Sequence, residues 1–201
     1  MAYEELLKNL KKRGYDAYYC ANAEEAAQTV LDLVGSDSVG IGGSATVRDL
    51  GLYERLTGRG NSVAWHWKVD KPYKDAERRK AMQAQVYLCS ANALLTDGRI
   101  VNIDGTGNRV AATTFGPERV IMIVGKNKLA GSVDEGIERT RRDCCPQNAR
   151  RQGLKTPCAA TGKCADCAVP DRMCNIISIF ERMPKGFKSF AVVFVDEALG
   201  L

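Results

Sequence analysis

Short apolar segments and amphipathic helical patterns alternate along most of this chain. Strands are predicted at 16–20, 38–41, 62–67, 86–90, 120–124 and 189–195. Helices are predicted around 3–13, 22–33, 45–56, 76–84 and after 132. Regular alternation of short strands and helices is typical of parallel strands that are joined by crossover helices. The sequence therefore predicts an α/β fold, built on a mainly parallel sheet with flanking helices.

Two segments depart from this alternation. The turn signal Thr96-Asp97-Gly98 separates two apolar runs at 93–95 and 100–103, which predicts a hairpin. A short helix is predicted at about 175–182, just before the last strand. That last strand, 189–195, is apolar enough to be buried on both faces, so we expect it to rejoin the main sheet.

The chain length and the change of composition after residue 142 predict the domain organisation. With 201 residues, the chain is long enough for one hydrophobic core and short for two domains. We therefore predict a single domain over 1–201. A cysteine-rich, metal-binding insertion is predicted at about 144–175, because an apolar strand follows it.

Six of the eight cysteines lie between Cys144 and Cys174. Four of them follow the pattern C-x5-C-x2-C-x6-C and are the predicted metal ligands, Cys158, Cys164, Cys167 and Cys174. Four thiolates in one short loop repel one another unless a cation or a cluster neutralises them. Because His66 is the only histidine and is distant in sequence, the predicted site is all sulfur. That restricts the metal to zinc or an iron–sulfur cluster.

The spacing of these cysteines favours an iron–sulfur cluster, of the 4Fe–4S type, over zinc. A structural zinc knuckle usually has two paired C-x2-C arms, whereas this segment has one. Disulfides would require an oxidising compartment, which nothing in the sequence indicates. Zinc remains the alternative. Cys144 and Cys145 could supply another ligand, form a reactive thiol pair, or be buried structural cysteines.

Three segments carry candidate ligand-binding residues at predicted strand ends. Gly40-Ile-Gly-Gly-Ser44 lies between a strand and a helix, where backbone N–H groups can converge on an anion. The arginine of the second segment, Asn92 to Arg109, can bind a carboxylate or a phosphate through two parallel hydrogen bonds. The third segment, Val124 to Lys128, ends a strand. Ligands of parallel sheets bind beyond such ends. The predicted ligand-binding residues are Gly42, Gly43, Ser44, Thr46, Asn92, Asp104, Asn108, Arg109, Gly125, Asn127 and Lys128.

Charge and hydropathy limit the partners that we expect. The net charge of +5 comes from 29 basic and 24 acidic residues, without the dense basic face of a nucleic-acid-binding protein. The longest apolar stretches have strand length, well below the roughly 20 residues of a membrane-spanning helix. The first residues lack the pattern of a secretory signal. We therefore expect a cytoplasmic protein with a small anionic partner, no nucleic acid and no membrane span.

Several motifs together resemble the LUD (lactate-utilisation) domain family. They are Gly42-Gly-Ser-Ala-Thr46, Asn102-Ile-Asp-Gly-Thr-Gly-Asn-Arg109, Phe115-Gly-Pro117, Val124-Gly-Lys-Asn-Lys128, Pro146-Gln-Asn148, Thr156-Pro-Cys158, Thr161-Gly-Lys-Cys-Ala-Asp-Cys167 and Glu197-Ala-Leu-Gly200. The resemblance covers nearly the whole chain. It implies a fold similar to the NagB, ribose-phosphate isomerase (RpiA) and CoA-transferase group, whose members bind phosphates or carboxylates at strand ends. It also implies a link to bacterial L-lactate oxidation, where LUD proteins work beside iron–sulfur partners.

The sequence leaves three functions open and assigns no catalytic residue. The first is a redox component of an L-lactate oxidation system, which binds lactate, pyruvate or a sugar phosphate and passes electrons to other lactate-utilisation subunits through its cluster. The second is a non-redox binding or regulatory module with a structural zinc ion. The third is a hydrolase or isomerase with Asp104 or Glu54 as general base. His66, between two tryptophans, is expected to be packed and not functional.

Overall fold

The structure, a computed structural model, describes residues 3–201, and Met1 and Ala2 lie outside the described part. Its helices are α1 (Glu4–Lys12), α2 (Ala23–Val34), α3 (Ala45–Asp49), α4 (Leu52–Gly58), α5 (Lys74–Met82), α6 (Asn108–Thr114), α7 (Val133–Arg139), α8 (Cys145–Arg151) and α9 (Pro157–Thr161). Its strands are β1 (Asp16–Cys20), β2 (Val39–Ile41), β3 (Val63–Trp65), β4 (Val86–Cys89), β5 (Ala93–Leu95), β6 (Ile100–Asp104), β7 (Arg119–Gly125), β8 (Leu129–Ala130), β9 (Ile176–Phe180) and β10 (Ser189–Val195).

Six strands form the predicted parallel sheet, in the order β1-β10-β7-β4-β2-β3. The apolar run Ser189–Val195 forms β10, which pairs with both β1 and β7 near the centre of the sheet. Its side chains from Phe190 onwards are buried. This is the expected position for a strand that is hydrophobic on both faces. The prediction of an α/β fold with a mainly parallel sheet is confirmed.

Two hydrophobic cores lie on opposite faces of this sheet. Along β7, Ile121 and Ile123 face one core, which also contains the buried side of α2. Val120, Met122 and Val124 face the other core, together with the buried side of α1. This alternation follows from the period of two along a strand. The main sheet is therefore covered by helices on both faces.

A smaller sheet has the strand order β8-β5-β6-β9. The predicted hairpin is confirmed, since β5 and β6 pair antiparallel. The prediction of a helix at 175–182 is wrong, because this segment forms β9 and pairs antiparallel with β6. Its isoleucines are β-branched and favour extended backbone. A short apolar run does not by itself distinguish a strand from a helix. Here the segment is a strand because it pairs with the edge of β6 that β5 does not occupy.

The predicted helix at 45–56 is two helices in the structure. Gly51 separates α3 from α4 and has φ +62°, a left-handed conformation that glycine adopts without a steric penalty. The chain thus changes direction between α3 and α4. No helix among residues 3–201 is long and apolar enough to cross a membrane.

Gly40 allows α5 to pack directly on β2. A Cβ atom at this position would lie 1.9 Å from the carbonyl oxygen of Ala81, near the end of α5. No side chain fits in that space, so the backbones approach closely only with glycine. This contact fixes α5 beside the carboxyl ends of β2 and β3.

Candidate functional site

A cavity of about 670 Å³ lies at the carboxyl ends of the parallel strands. Its wall is built by the segments that follow β2, β3, β4, β6 and β7, together with α5, α8 and the π-helical turn Thr140–Cys144. The carboxyl edge of a parallel sheet is where α/β proteins bind their ligands. The three segments that the sequence singled out therefore meet at one place.

Most of the predicted ligand-binding residues line this cavity. They are Gly43, Ser44, Thr46, Asn92, Asp104, Asn108, Arg109 and Lys128. Gly42, Gly125 and Asn127 are not part of the wall. The Gly42 carbonyl accepts a hydrogen bond from the Trp65 indole at 3.0 Å, and Asn127 Oδ1 accepts one from the Leu199 amide at 3.1 Å. These residues shape the backbone behind the site.

Ser44, in the loop after β2, is engaged with the helix that follows it. Ser44 Oγ accepts a hydrogen bond from the Val47 amide at 3.2 Å, so the serine caps α3 itself. Because α3 has only five residues, few peptide dipoles add up at its N-terminus.

Lys128 is the most buried cation of the cavity wall, with a relative exposure of 2%. Its Nζ donates hydrogen bonds to Thr46 Oγ1 and Ser90 Oγ, both at 2.8 Å. Within residues 3–201 it forms no ion pair with a carboxylate. Burial lowers the pKa of Lys128 to about 7, and the neighbouring charges of Arg139 and Arg109 act in the same direction.

Arg109 uses its guanidinium group mainly for internal contacts. Nε donates to Asp104 Oδ1 at 3.0 Å and Nη1 donates to the Ser90 carbonyl at 3.1 Å. Nη2 donates to Asn92 Oδ1 at 2.7 Å and to the Ile103 carbonyl at 2.8 Å. These contacts join the segments after β4 and β6. They favour a bracing role for Arg109 over the ligand-binding fork that the sequence suggested.

The two candidate general bases are also engaged elsewhere. Asp104 forms a half-buried ion pair with Arg109 and accepts a hydrogen bond from the Val110 amide at 3.1 Å. Glu54 is exposed, lies outside the cavity wall and pairs with Lys68 at 2.6 Å. Both carboxylates thus already have partners, and of the two only Asp104 lines the cavity.

Sequence reasoning missed a group of cations on the cavity wall, Lys74, Arg78 and Arg151. Lys74 and Arg78 are one turn apart on α5, a spacing that places both on the same side of the helix and that could have been noticed. Arg151 lies on α8, and its Cζ is 4.5 Å from the ring centroid of Trp67. Arg78 Nε is buried without a hydrogen-bond partner among the described residues.

His66 lies among these cations and is buried, as expected from the sequence, but it also lines the cavity. Burial, followed by the charges of Arg78, Lys74 and Arg151, lowers the pKa of His66 to about 4. Its imidazole is therefore neutral at pH 7, and its Nδ1 has no partner within residues 3–201. The cavity wall thus has more positive than negative charge.

A second, smaller cavity of about 20 Å³ is lined by five cysteines, Cys145, Cys158, Cys164, Cys167 and Cys174. All four predicted metal ligands are thus brought to one place, and Cys145 joins them. The Sγ atoms of Cys145 and Cys174 are 3.3 Å apart. Hydrogen bonding with Cys145 lowers the pKa of Cys174 below that of an ordinary thiol.

The two adjacent cysteines of the insertion have different surroundings. Cys144 lines only the large cavity, and its Sγ accepts a hydrogen bond from Arg139 Nη1 at 3.1 Å. Cys145 lines both cavities. Across residues 3–201, no three His, Cys, Asp or Glu side chains are arranged as a ready metal site. The thiols of the small cavity are therefore near one another but not converged on a single point.

Comparison with known proteins identifies the family. The LUD domain model matches residues 3–195. The uncharacterized protein YkgG of Escherichia coli (strain K12) is 31% identical over 120 residues, which are 59% of this chain and 50% of YkgG. The match thus spans about half the length of that relative. A DUF162 family protein from Deinococcus radiodurans has a similar fold, with a TM-score of 0.54 and 14% identity over 97% of this chain and 99% of that chain. Since the family model matches nearly all of its residues, this chain belongs to the LUD domain family.

Proposed function

We propose that this protein binds a small hydroxy acid, keto acid or sugar phosphate in the large cavity and acts in lactate utilisation. The observation that supports this most strongly is the uncompensated positive charge of the wall. Lys74 and Arg151 have no carboxylate partner among residues 3–201, and Arg78 pairs only with the exposed Asp75. An anion that enters the cavity would supply the missing counter-charge.

The dimensions of the cavity fit a metabolite. Its volume of about 670 Å³ lies within the roughly 300–1,000 Å³ of ordinary small-molecule sites. Lactate and pyruvate would occupy part of this space, and a sugar phosphate would occupy more of it. The buried hydroxyls of Thr46 and Ser90 offer polar contacts for a hydroxyl or a carbonyl group of the ligand.

Titration calorimetry with pyruvate, L-lactate and inorganic phosphate tests this proposal. The double variant Lys74→Ala/Arg78→Ala should bind the preferred anion at least about tenfold more weakly, because two charge-assisted contacts are lost. The matched control, Arg79→Ala/Lys80→Ala, removes the same charge from exposed positions of the same helix. It should keep an affinity within about twofold, since distant surface charges are screened. Equal affinities for both variants, or no binding by the native protein, would contradict the proposal.

We further propose that the cysteine pocket holds a metal centre. The observation in favour is that five thiols line one small cavity, with Arg141 and Arg172 nearby to offset thiolate charge. Its volume of about 20 Å³ corresponds to roughly one water molecule. The 3.3 Å between Cys145 and Cys174 is near the ~3.8 Å expected between sulfur ligands of tetrahedral zinc. Cysteine thiolates are ligands of both zinc ions and iron–sulfur clusters.

The identity of the metal determines the biochemical role. An iron–sulfur cluster would support electron transfer to other lactate-utilisation subunits, which are the partners that the family suggests. Zinc would support a structural role beside the ligand cavity. In both cases Cys145 is a candidate ligand in addition to Cys158, Cys164, Cys167 and Cys174.

Analysis of iron, zinc and acid-labile sulfide in protein purified without oxygen distinguishes these roles. We expect a stoichiometric metal in the native protein and a strongly reduced content in Cys145→Ser. The adjacent variant Cys144→Ser should keep its metal, because Cys144 lines only the other cavity. Native protein without any bound metal would refute the metal centre, whereas equal losses in the two variants would refute only the assignment of Cys145.

A further inference from the structure

We propose that Lys128 is a nucleophile whose Nζ forms an imine with the carbonyl carbon of a 2-oxo acid bound in the large cavity. This inference deepens the proposed function and rests on it, since the acid must first enter the site. The positive charges of the cavity wall explain how an acid binds. The imine adds a covalent reaction with the bound acid.

The position of Lys128 supports a role beyond charge attraction. Its Nζ is held between two hydroxyls, Thr46 Oγ1 and Ser90 Oγ, which orient the amine without fixing its charge. The side chain lines the cavity although it is almost fully buried. A lysine that is desolvated beside other cations becomes an effective nucleophile, because its amine is more often neutral.

Lys126 provides the contrast within the same turn. Its Nζ pairs with Asp196 Oδ1 at 3.1 Å, and the side chain is 48% exposed. Hydrogen bonding with Asp196 raises the pKa of Lys126, whereas burial lowers the pKa of Lys128 to about 7. Two lysines of similar sequence environment thus have opposite properties, and only the second lines the cavity.

The reaction balances without an oxidant or a reductant. The neutral Nζ adds to the C2 carbonyl carbon of the 2-oxo acid and forms a carbinolamine. The C2 hydroxyl then leaves as water, with protons from the nitrogen, and a carbon–nitrogen double bond forms. Thr46 and Ser90, whose hydroxyls contact Nζ, are placed to pass these protons. L-lactate has no carbonyl at C2 and cannot react in this way.

Reductive trapping tests the proposal on the native protein. Pyruvate and sodium cyanoborohydride are added at neutral pH, and the modified lysines are identified by peptide mass mapping. We expect a carboxyethyl group on Lys128 at a yield at least about tenfold above that on Lys126, as its desolvation implies. Excess L-lactate should compete, and lactate alone should leave no modification. The variant Lys128→Met should lose the label, while Lys126→Met should keep it on Lys128.

The possible outcomes separate the imine from binding. If calorimetry shows that pyruvate binds and Lys128 remains unmodified, the imine is refuted and the binding function stands. Equal labelling of Lys126 and Lys128 would also refute it, because this indicates unselective reaction at the surface. If pyruvate neither binds nor labels, both the imine and the binding of 2-oxo acids are refuted. Because trapping uses the native chain, the result does not depend on whether Lys128→Met folds.

Discussion

At the scale of single residues, Lys128 illustrates a side chain that costs stability. A buried amine that loses solvation is harder to protonate, and no carboxylate among the described residues forms an ion pair with Lys128. Its neighbours act in both directions: the charges of Arg139 and Arg109 lower its pKa, whereas Cys144 and Asp49 raise it. Lys128 thus lowers the stability of the fold, but it places an amine at the wall of the proposed binding site.

The variant Lys128→Met should therefore unfold less readily than the native protein. We expect a gain of about 1–4 kcal/mol in the free energy of unfolding at pH 6, the range seen when buried charges become apolar. Between pH 7 and roughly 10.4, the unfolded chain binds more protons at this position than the folded chain. The native protein therefore gains stability as the pH rises, and the advantage of the variant shrinks. Urea unfolding at several pH values measures this difference.

Lys126→Met is the control for this pH dependence. Its folded pKa is raised by Asp196, so its contribution to stability is present at neutral pH and is lost as the pH rises through the raised value. At neutral pH, Lys128→Met should therefore have a higher free energy of unfolding than the native protein, and Lys126→Met should have a lower one. An advantage of Lys128→Met that does not change with pH would show that Lys128 is fully protonated in the folded state.

At the scale of elements, the contact between α5 and β2 positions the cations of the cavity. Gly40→Ala would place a methyl group against the backbone of Ala81, where no flexible side chain can move aside. We expect a loss of about 3 kcal/mol or more in the free energy of unfolding. Because a displaced α5 would also move Lys74 and Arg78, the affinity for the bound anion should fall.

Gly58→Ala is the matched control for this packing effect. Gly58 ends α4, is exposed and has no neighbouring heavy atom within 4 Å of an added Cβ atom. Alanine is the better helix former, so we expect an unchanged stability or a gain of up to about 1 kcal/mol. Equal effects of the two substitutions, measured by thermal and urea unfolding, would show that the close approach at Gly40 is unimportant.

The elements also show what the sequence could predict. The buried parallel strands and the hairpin were recognisable, because hydrophobic periodicity and turn residues are local signals. The strand β9 was mistaken for a helix, since its pairing with β6 is a long-range contact that no local pattern contains. Gly51 within an otherwise helical pattern was the available signal for the break between α3 and α4.

At the scale of the whole molecule, the sequence predicted only those parts of the candidate site that come directly after the parallel strands. The segments after β2, β4, β6 and β7 meet because the carboxyl ends of parallel strands lie at one edge. The cations of α5 and α8 were missed, because their distance from this edge depends on helix packing. The gathering of the predicted cysteine ligands with Cys145 likewise depends on how the insertion folds back, with α8 and the segment before β9 on either side.

A crystal structure of the protein with pyruvate shows directly whether the large cavity is the binding site. We expect one pyruvate in the cavity at the strand ends, with its carboxylate near the cations of the wall and its carbonyl group facing Lys128. Electron density that joins Nζ to C2 after reduction would support the imine as well. Pyruvate bound only outside this cavity, or an empty cavity at saturating pyruvate, would refute the proposed binding site.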